Sequence, residues 1–208
     1  YYGWVILVVA TLGITMSLPG QTMGVTVFTD SLIVAFEVSR TSLSFAYMLG
    51  TMASSFLLPW AGRVLDRRGA RFMVVFATAG LGASLLFLRA GPELLRGAFA
   101  EPWREWQAVG VLLVAFLGIR HFGQGQMTMI ARTMLGRWFE SRRGLAFAIS
   151  GALVAYAFGV APYWLNRLIQ AYGWRNAILV LVAAEGVMMA IGFLFYRGRD
   201  RKSTRLNS

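Results

Sequence analysis

Long apolar runs, separated by short charged or turn-forming stretches, organise the sequence. Six can be read: Trp4–Phe28, Ser42–Val64, Phe72–Arg89, Gln107–Leu135, Leu145–Ile169 and Trp174–Tyr196. A helix needs about 20 mostly apolar residues to cross the hydrocarbon core of a bilayer, and each run approaches or exceeds that length. The first run can continue toward Phe36, and Pro19-Gly20 inside it predicts a kink. Neighbouring membrane helices re-satisfy the backbone groups that such a break frees. The connections are short except Arg89–Trp106, which mixes charge with Trp103 and Trp106 and reads as an interfacial loop or short surface helix. The pattern predicts an all-α membrane protein with six transmembrane helices and no separate soluble domain.

Composition agrees. Of the 208 residues, 57% are hydrophobic and 14% charged, with a mean hydropathy of +0.60; a soluble domain carries roughly 25% charged residues. The formal charge of +11 does not point to nucleic acid, because most arginines lie between the apolar runs, where they orient a membrane protein. No cysteine is present, which removes disulfides and thiolate metal sites, and no metal or cofactor is implied.

Arginines fix the expected orientation. Arg63, Arg67, Arg68, Arg71, Arg132, Arg137, Arg142, Arg143, Arg197 and Arg199 flank one side, against Arg40, Arg89, Arg96, Arg104, Arg167 and Arg175 on the other, ten against six. The smaller group is diluted by Asp30, Glu37, Glu93, Glu101 and Glu105. The even-numbered helices and the amino terminus are therefore expected in the cytoplasm, in a multi-pass protein of a cell membrane, of the bacterial inner-membrane kind. The first residue is Tyr1 and no charged region, short apolar core and cleavage site can be seen, so we expect a missing start and no secretory signal. Asp200–Ser208 turns abruptly polar, and one choice of codons for it spells a sequencing adapter. We expect residues 200–208 to be a non-native tail and residues 1–199 to be a gene fragment cut at both ends.

The most specific motif is GRVLDRRGAR, Gly62 to Arg71, between the second and third runs. A tight cytoplasmic turn explains its parts. Gly62 lets helices approach, Gly69 can take a positive φ, and Asp66 can accept hydrogen bonds or pair with an arginine. A plain positive-inside loop would explain the arginines but not the Gly-x-x-x-Asp-Arg-x-Gly-x-Arg spacing. That spacing resembles the loop signature of the major facilitator superfamily. GRWFESRRGLA (Gly136 to Ala146) and SRTSLSFAY (Ser39 to Tyr47) resemble the branch that holds monocarboxylate and oxalate/formate carriers, and GWR (Gly173 to Arg175) is common in the superfamily. The resemblance covers almost all of Tyr1–Arg199. It implies the amino-terminal half of a twelve-helix fold, built as two inverted three-helix repeats. It also implies that Gly62, Asp66, Arg67, Gly69 and Arg71 form a gating loop latching the two halves, with Asp66 remote from substrate. Where the animal monocarboxylate branch carries a lysine in the first helix, this chain has Gln21, Thr22 and Met23.

Polar residues inside apolar runs are the binding candidates. Arg120, His121, Gln124 and Gln126 lie in the fourth run and Glu185 in the sixth. A mid-membrane arginine costs roughly 2.5–3.5 kcal/mol on insertion scales, so such residues are functional unless an internal ion pair explains them. Arg120, His121, Gln124 and Gln21 are the substrate-binding candidates, and Glu185 is a structural ion-pair candidate for Arg120 at similar depth. A guanidinium fork suits a carboxylate; His121 can handle a coupling proton or serve as a hydrogen-bonded structural residue. Arg132 is expected to snorkel to the inner interface.

These features point to a secondary active transporter of small organic solutes, preferentially carboxylate anions, with the bilayer and a small anion as partners. An efflux carrier for other organic compounds is the nearest alternative. An intramembrane serine protease would use AISG (Ala148 to Gly151), but the sole histidine, His121, precedes Ser150 where that chemistry needs a later one. A non-transporting scaffold would show no saturable uptake, and a channel would want a filter or ring of charge that is not seen.

Overall fold

The computed structural model describes residues 2–99 and 104–196. These are helical apart from short connections such as 37–39 and 139–142, with no strand among the described residues. Asp200–Ser208, Arg197, Arg199 and Trp103 lie outside them.

Helix α1 (Tyr2–Met16) stops where Leu18–Gly20 form a single 3-10 turn, and α2 (Thr22–Phe36) follows. Pro19 has no amide hydrogen with which to continue the ladder. Ser17 Oγ donates to the Ile14 carbonyl at 2.6 Å, and Gln21 Nε2 donates to Ser17 Oγ at 2.9 Å, so side chains cover the break. The predicted kink and the continuation to Phe36 are both present.

Helix α3 (Arg40–Ala98) begins at Ser39, whose Oγ accepts from the Ser42 amide at 3.1 Å. Its 59 residues would extend about 88 Å if straight, far more than the hydrocarbon core of about 30 Å. Gly69, at φ 80° and ψ 169°, divides it. The neighbours show how the arms lie. Gly50, Leu58 and Gly62 meet Leu117, Gly125 and Met129 in ascending order, whereas Ser84 and Gly80 meet Gly118 and Phe122 in descending order. The arms therefore fold back on each other at Gly69.

One boundary differs from the sequence reading. The Arg89–Trp106 stretch, expected as an interfacial loop or short surface helix, is helical for most of its length, but as a continuation of α3 through Ala98 rather than a separate element; helix resumes at α4 (Glu105–Ile119). Leu88, Gly91, Pro92 and Leu95 are buried at helical spacing, while Glu93 and Arg96 face outward. The charges belong to the outer face of an amphipathic continuation. The start of α4 is tied to the start of α3, since the Ser39 amide donates to Glu105 Oε1 at 2.8 Å.

Beyond α4 the rod continues as a π-helical stretch, Arg120–Met127, and then as α5 (Thr128–Trp138). Helix α6 (Arg143–Tyr172) and α7 (Trp174–Phe195) join at Gly173, which has φ 78° and ψ 156°. Along α7, Val182 meets Gly82 and Gly192 meets Val74, so α7 runs antiparallel to the second arm of α3. The core lies between the α3 arms, the α4–α5 rod, α7 and α1, around Ile6, Leu32, Met73, Leu81, Leu112 and Ile130. By contrast, α6 buries only Ala146, Ser150 and Leu165. By length and composition, α3, the Glu105–Trp138 rod, α6 and α7 can each cross a membrane; α1 and α2 are shorter apolar helices.

Candidate functional site

A cavity of about 530 Å³ lies where the Leu18–Gly20 break, the first arm of α3, the π stretch, α5 and α6 meet. Gln21 enters from the break, and Thr51, Ser54 and Ser55 from α3. Arg120 and Gln124 come from the π stretch, and Thr128 and Arg132 from α5. Leu58, Met129, Val154 and Phe158 supply apolar wall. Two guanidiniums and no carboxylate line it. A second space of about 20 Å³, between Pro19, Phe28, Leu85 and Phe116, is apolar and offers no chemistry.

The π stretch explains why both arginines reach one wall. In an α-helix of 3.6 residues per turn, residues 120 and 132 would stand about 120° apart. A π-helix, bonded i→i+5, turns only about 80° per residue, which recovers most of that difference. The same spacing sets His121 beside Gln126, their Nε2 atoms 2.8 Å apart.

Arg120 is buried, and its Nη1 donates to the Gly20 carbonyl at 2.9 Å. The guanidinium lies over the Tyr47 ring at 5.2 Å, and the Tyr47 hydroxyl is 3.0 Å from Thr22 Oγ1. Nε of Arg120, Oε1 of Gln124 and Oγ1 of Thr128 are buried without a protein partner. Glycine permits this arrangement. A Cβ on Gly20 would stand 2.7 Å from Cα of Gly123, and one on Gly123 would stand 2.8 Å from Cα of Gly20. The backbones of the break and the π stretch are in direct contact there.

The structure brings Arg120, Gln124 and Gln21 together. It places His121 elsewhere: His121 is buried, does not line the cavity and is engaged by Gln126. Glu185 is 2% exposed, and among the described residues it forms no ion pair, with Arg120 or otherwise. The expected Arg120–Glu185 pair is thus absent from the described structure; Gly20 supplies a carbonyl to the guanidinium in its place. Arg132 turns into the cavity rather than only toward the interface. The hydroxyls of Thr51, Ser54 and Ser55 were not singled out from sequence, although positions 51, 54, 55 and 58 repeat at the spacing of one helix face.

At the opposite end of α5, Arg137 Nη2 pairs with Asp66 Oδ1 at 3.1 Å, both well exposed. Gly69 takes the positive φ expected of it. Arg71 Nε donates to the Tyr196 carbonyl at 3.1 Å, tying the second arm of α3 to the end of α7. Arg67 is exposed. Gly62 departs from expectation: a Cβ there would find only Met129 Sδ, at 3.8 Å, so no close approach within the described residues requires glycine. Ser150, the nucleophile of the protease reading, is buried and accepts from Thr11 Oγ1 at 2.9 Å, while His121 is engaged by Gln126.

Comparisons with known proteins agree with this architecture. Monocarboxylate transporter 14 of Homo sapiens is 31% identical over 86 residues, covering 41% of this chain and 17% of that protein. Monocarboxylate transporter 14 of Mus musculus is 32% identical over 69 residues, covering 33% of this chain and 14% of that protein. The matched segments thus span less than a fifth of the length of either relative. Residues 3–208 match the Major Facilitator Superfamily. The chain belongs to the major facilitator superfamily, a family of membrane transporters and not of enzymes.

Proposed function

We propose that this chain is the amino-terminal, six-helix half of a secondary transporter that moves small organic anions, carboxylates above all, by alternating access. The observation that carries this reading is the cavity. It is lined by two guanidiniums, several hydroxyls, two amides and no carboxylate. Arg120 keeps its charge at depth by leaning on the Gly20 carbonyl and the Tyr47 ring, with Nε still unpartnered. A planar fork of this kind fits a carboxylate through paired hydrogen bonds. The named relatives are monocarboxylate transporters, which supports the same substrate class.

In this reading α1 with α2, the two arms of α3, the α4–α5 rod, α6 and α7 are the six crossings. The glycine turns support a three-helix repeat. Gly69-Ala70-Arg71 and Gly173-Trp174-Arg175 sit between corresponding crossings, with nearly the same backbone angles at the glycine. The arginine excess supports a cytoplasmic position for Asp66 and Arg137, and in this reading their pair serves as part of a gate. The exposed face of α6, with Tyr156, Tyr163 and Trp164, suits lipid or a second six-helix half.

The test is uptake by the full-length carrier in proteoliposomes, using a panel of mono- and dicarboxylates beside neutral and cationic organic solutes. Saturable carboxylate uptake that collapses in Arg120→Lys supports the assignment, since the charge is kept but the fork is lost. Normal carboxylate affinity in a well-expressed Arg120→Ala protein would sink it.

A further inference from the structure

The cavity holds a second cation that binding at Arg120 does not use. Arg132 lines the same wall, is exposed, and has no ion-pair partner among the described residues. It lies twelve positions beyond Arg120, about three turns further along the rod and on the order of 15–18 Å along its axis. One small carboxylate bound bidentately by Arg120 therefore leaves Arg132 free. The wall between them carries Gln124 and Thr128, and the Thr128 hydroxyl has no protein partner, so a donor lies along the path; Ser54 and Ser55 on the facing wall donate to their own helix. Leu58, Met129, Val154 and Phe158 give that path low-dielectric sides, which focus the field of the two cations.

We propose that Arg132 is a second, outer anion-binding subsite, which captures a carboxylate at the Asp66–Arg137 end of the cavity before it reaches Arg120. This rests on the anion-transport reading above. The two arginines have different tasks. Arg120 is buried and held by Gly20, so it recognises shape as well as charge. Arg132 is exposed and unpaired, so it acts mainly through charge. Its contribution falls as salt screens it, and lysine can replace it.

The chain contains no cysteine, which permits a test that needs no knowledge of the substrate. Ser55, exposed on the cavity wall, is changed to cysteine in the full-length carrier, with any cysteines elsewhere replaced. In inside-out vesicles, its reaction rate is measured with 2-sulfonatoethyl methanethiosulfonate and with 2-(trimethylammonium)ethyl methanethiosulfonate. The proposal expects the anionic-to-cationic rate ratio to fall by roughly tenfold in Arg132→Gln, to return in Arg132→Lys, and to shrink at high salt. It also expects Arg132→Gln to raise the KM for cytoplasmic carboxylate at low salt with kcat unchanged. If Arg132→Gln leaves the ratio alone while Arg120→Gln lowers it, the outer subsite is overturned and the Arg120 site stands. If neither change moves the ratio, both assignments fall. Equal ratios for Arg132→Gln and Arg132→Lys, both low, would also overturn the proposal, since a charge-based subsite tolerates lysine.

Discussion

Arg71 and Arg175 hold opposite ends of one antiparallel helix pair. Arg71 begins the second arm of α3 and reaches the carbonyl of Tyr196 at the end of α7; Arg175 begins α7 and pairs with Glu93 near the end of α3 at 2.6 Å. Each follows two residues after a positive-φ glycine, Gly69 or Gly173. Such backbone angles are nearly closed to residues with a side chain. Gly69→Ala and Gly173→Ala are therefore expected to cost about 1–3 kcal/mol each, read as a lower melting temperature of the purified full-length carrier. Equal melting temperatures would show that the turns relax into ordinary geometry.

The contact between Gly20 and Gly123 gives a second expectation. An added methyl at Gly20 would stand 2.6 Å from the Gln124 amide nitrogen, which is backbone and cannot swing aside. Gly20→Ala and Gly123→Ala should each destabilise by about 1–3 kcal/mol. Because both act on one contact, the double variant should lose less than the sum of the singles. Thermal melts of all three decide this, and strict additivity would mean that the two sites are independent.

Glu185 and Arg120 should behave as strangers. A buried structural pair broken at one end typically costs several kcal/mol, but no such pair joins these residues among those described. Glu185→Gln keeps the shape and should leave stability and carboxylate affinity nearly unchanged. The exchange Arg120→Glu with Glu185→Arg should recover nothing relative to Arg120→Glu alone. Recovery of stability in the exchanged protein would reinstate the ion pair.

Asp66→Asn should slow transport while leaving substrate affinity close to that of the parent. Asp66 meets Arg137 at the surface and does not line the Arg120 cavity, so its charge can bias the balance between facing states without touching substrate. The pair is exposed, so its direct worth in stability is only about 0–1 kcal/mol. Equilibrium binding and turnover measured on one preparation separate the two effects; lost binding in both facing states would make Asp66 a ligand.

Orientation can be tested through the absence of cysteine. Arg63→Cys and Gly97→Cys place thiols at exposed positions near opposite ends of the α3 arms. An impermeant maleimide added to intact cells should label Gly97→Cys and spare Arg63→Cys, and inside-out vesicles should reverse this. The opposite pattern would invert the assigned topology.

The helices were legible because a bilayer demands long apolar runs, and only helices of that length satisfy their own backbone there. The end of the third run was set too early at Arg89, because a charged residue near a helix end reads as a boundary until burial of Leu88 and Leu95 shows the helical face continuing. Within the cavity, Arg120, Gln124 and Gln21 stood out as polar groups in apolar surroundings. His121, one step along the chain from Arg120, could not be told apart from it without the π stretch that decides which residues face inward. Thr51, Ser54 and Ser55 were invisible for another reason. Each hydroxyl donates to a carbonyl of its own helix, to Tyr47, Thr51 and Met52 respectively, as serine and threonine commonly do in membranes.

The π stretch also stores a rotation. Its wide turns set the phase between Arg120 above and Arg132 below, within one continuous rod from Glu105 to Trp138. Rewinding those eight residues into an α-helix would turn the lower end by roughly two-fifths of a revolution relative to the upper. Arg132 would swing out of the cavity like a key turned in a lock, while the Arg120 end stayed against Gly20.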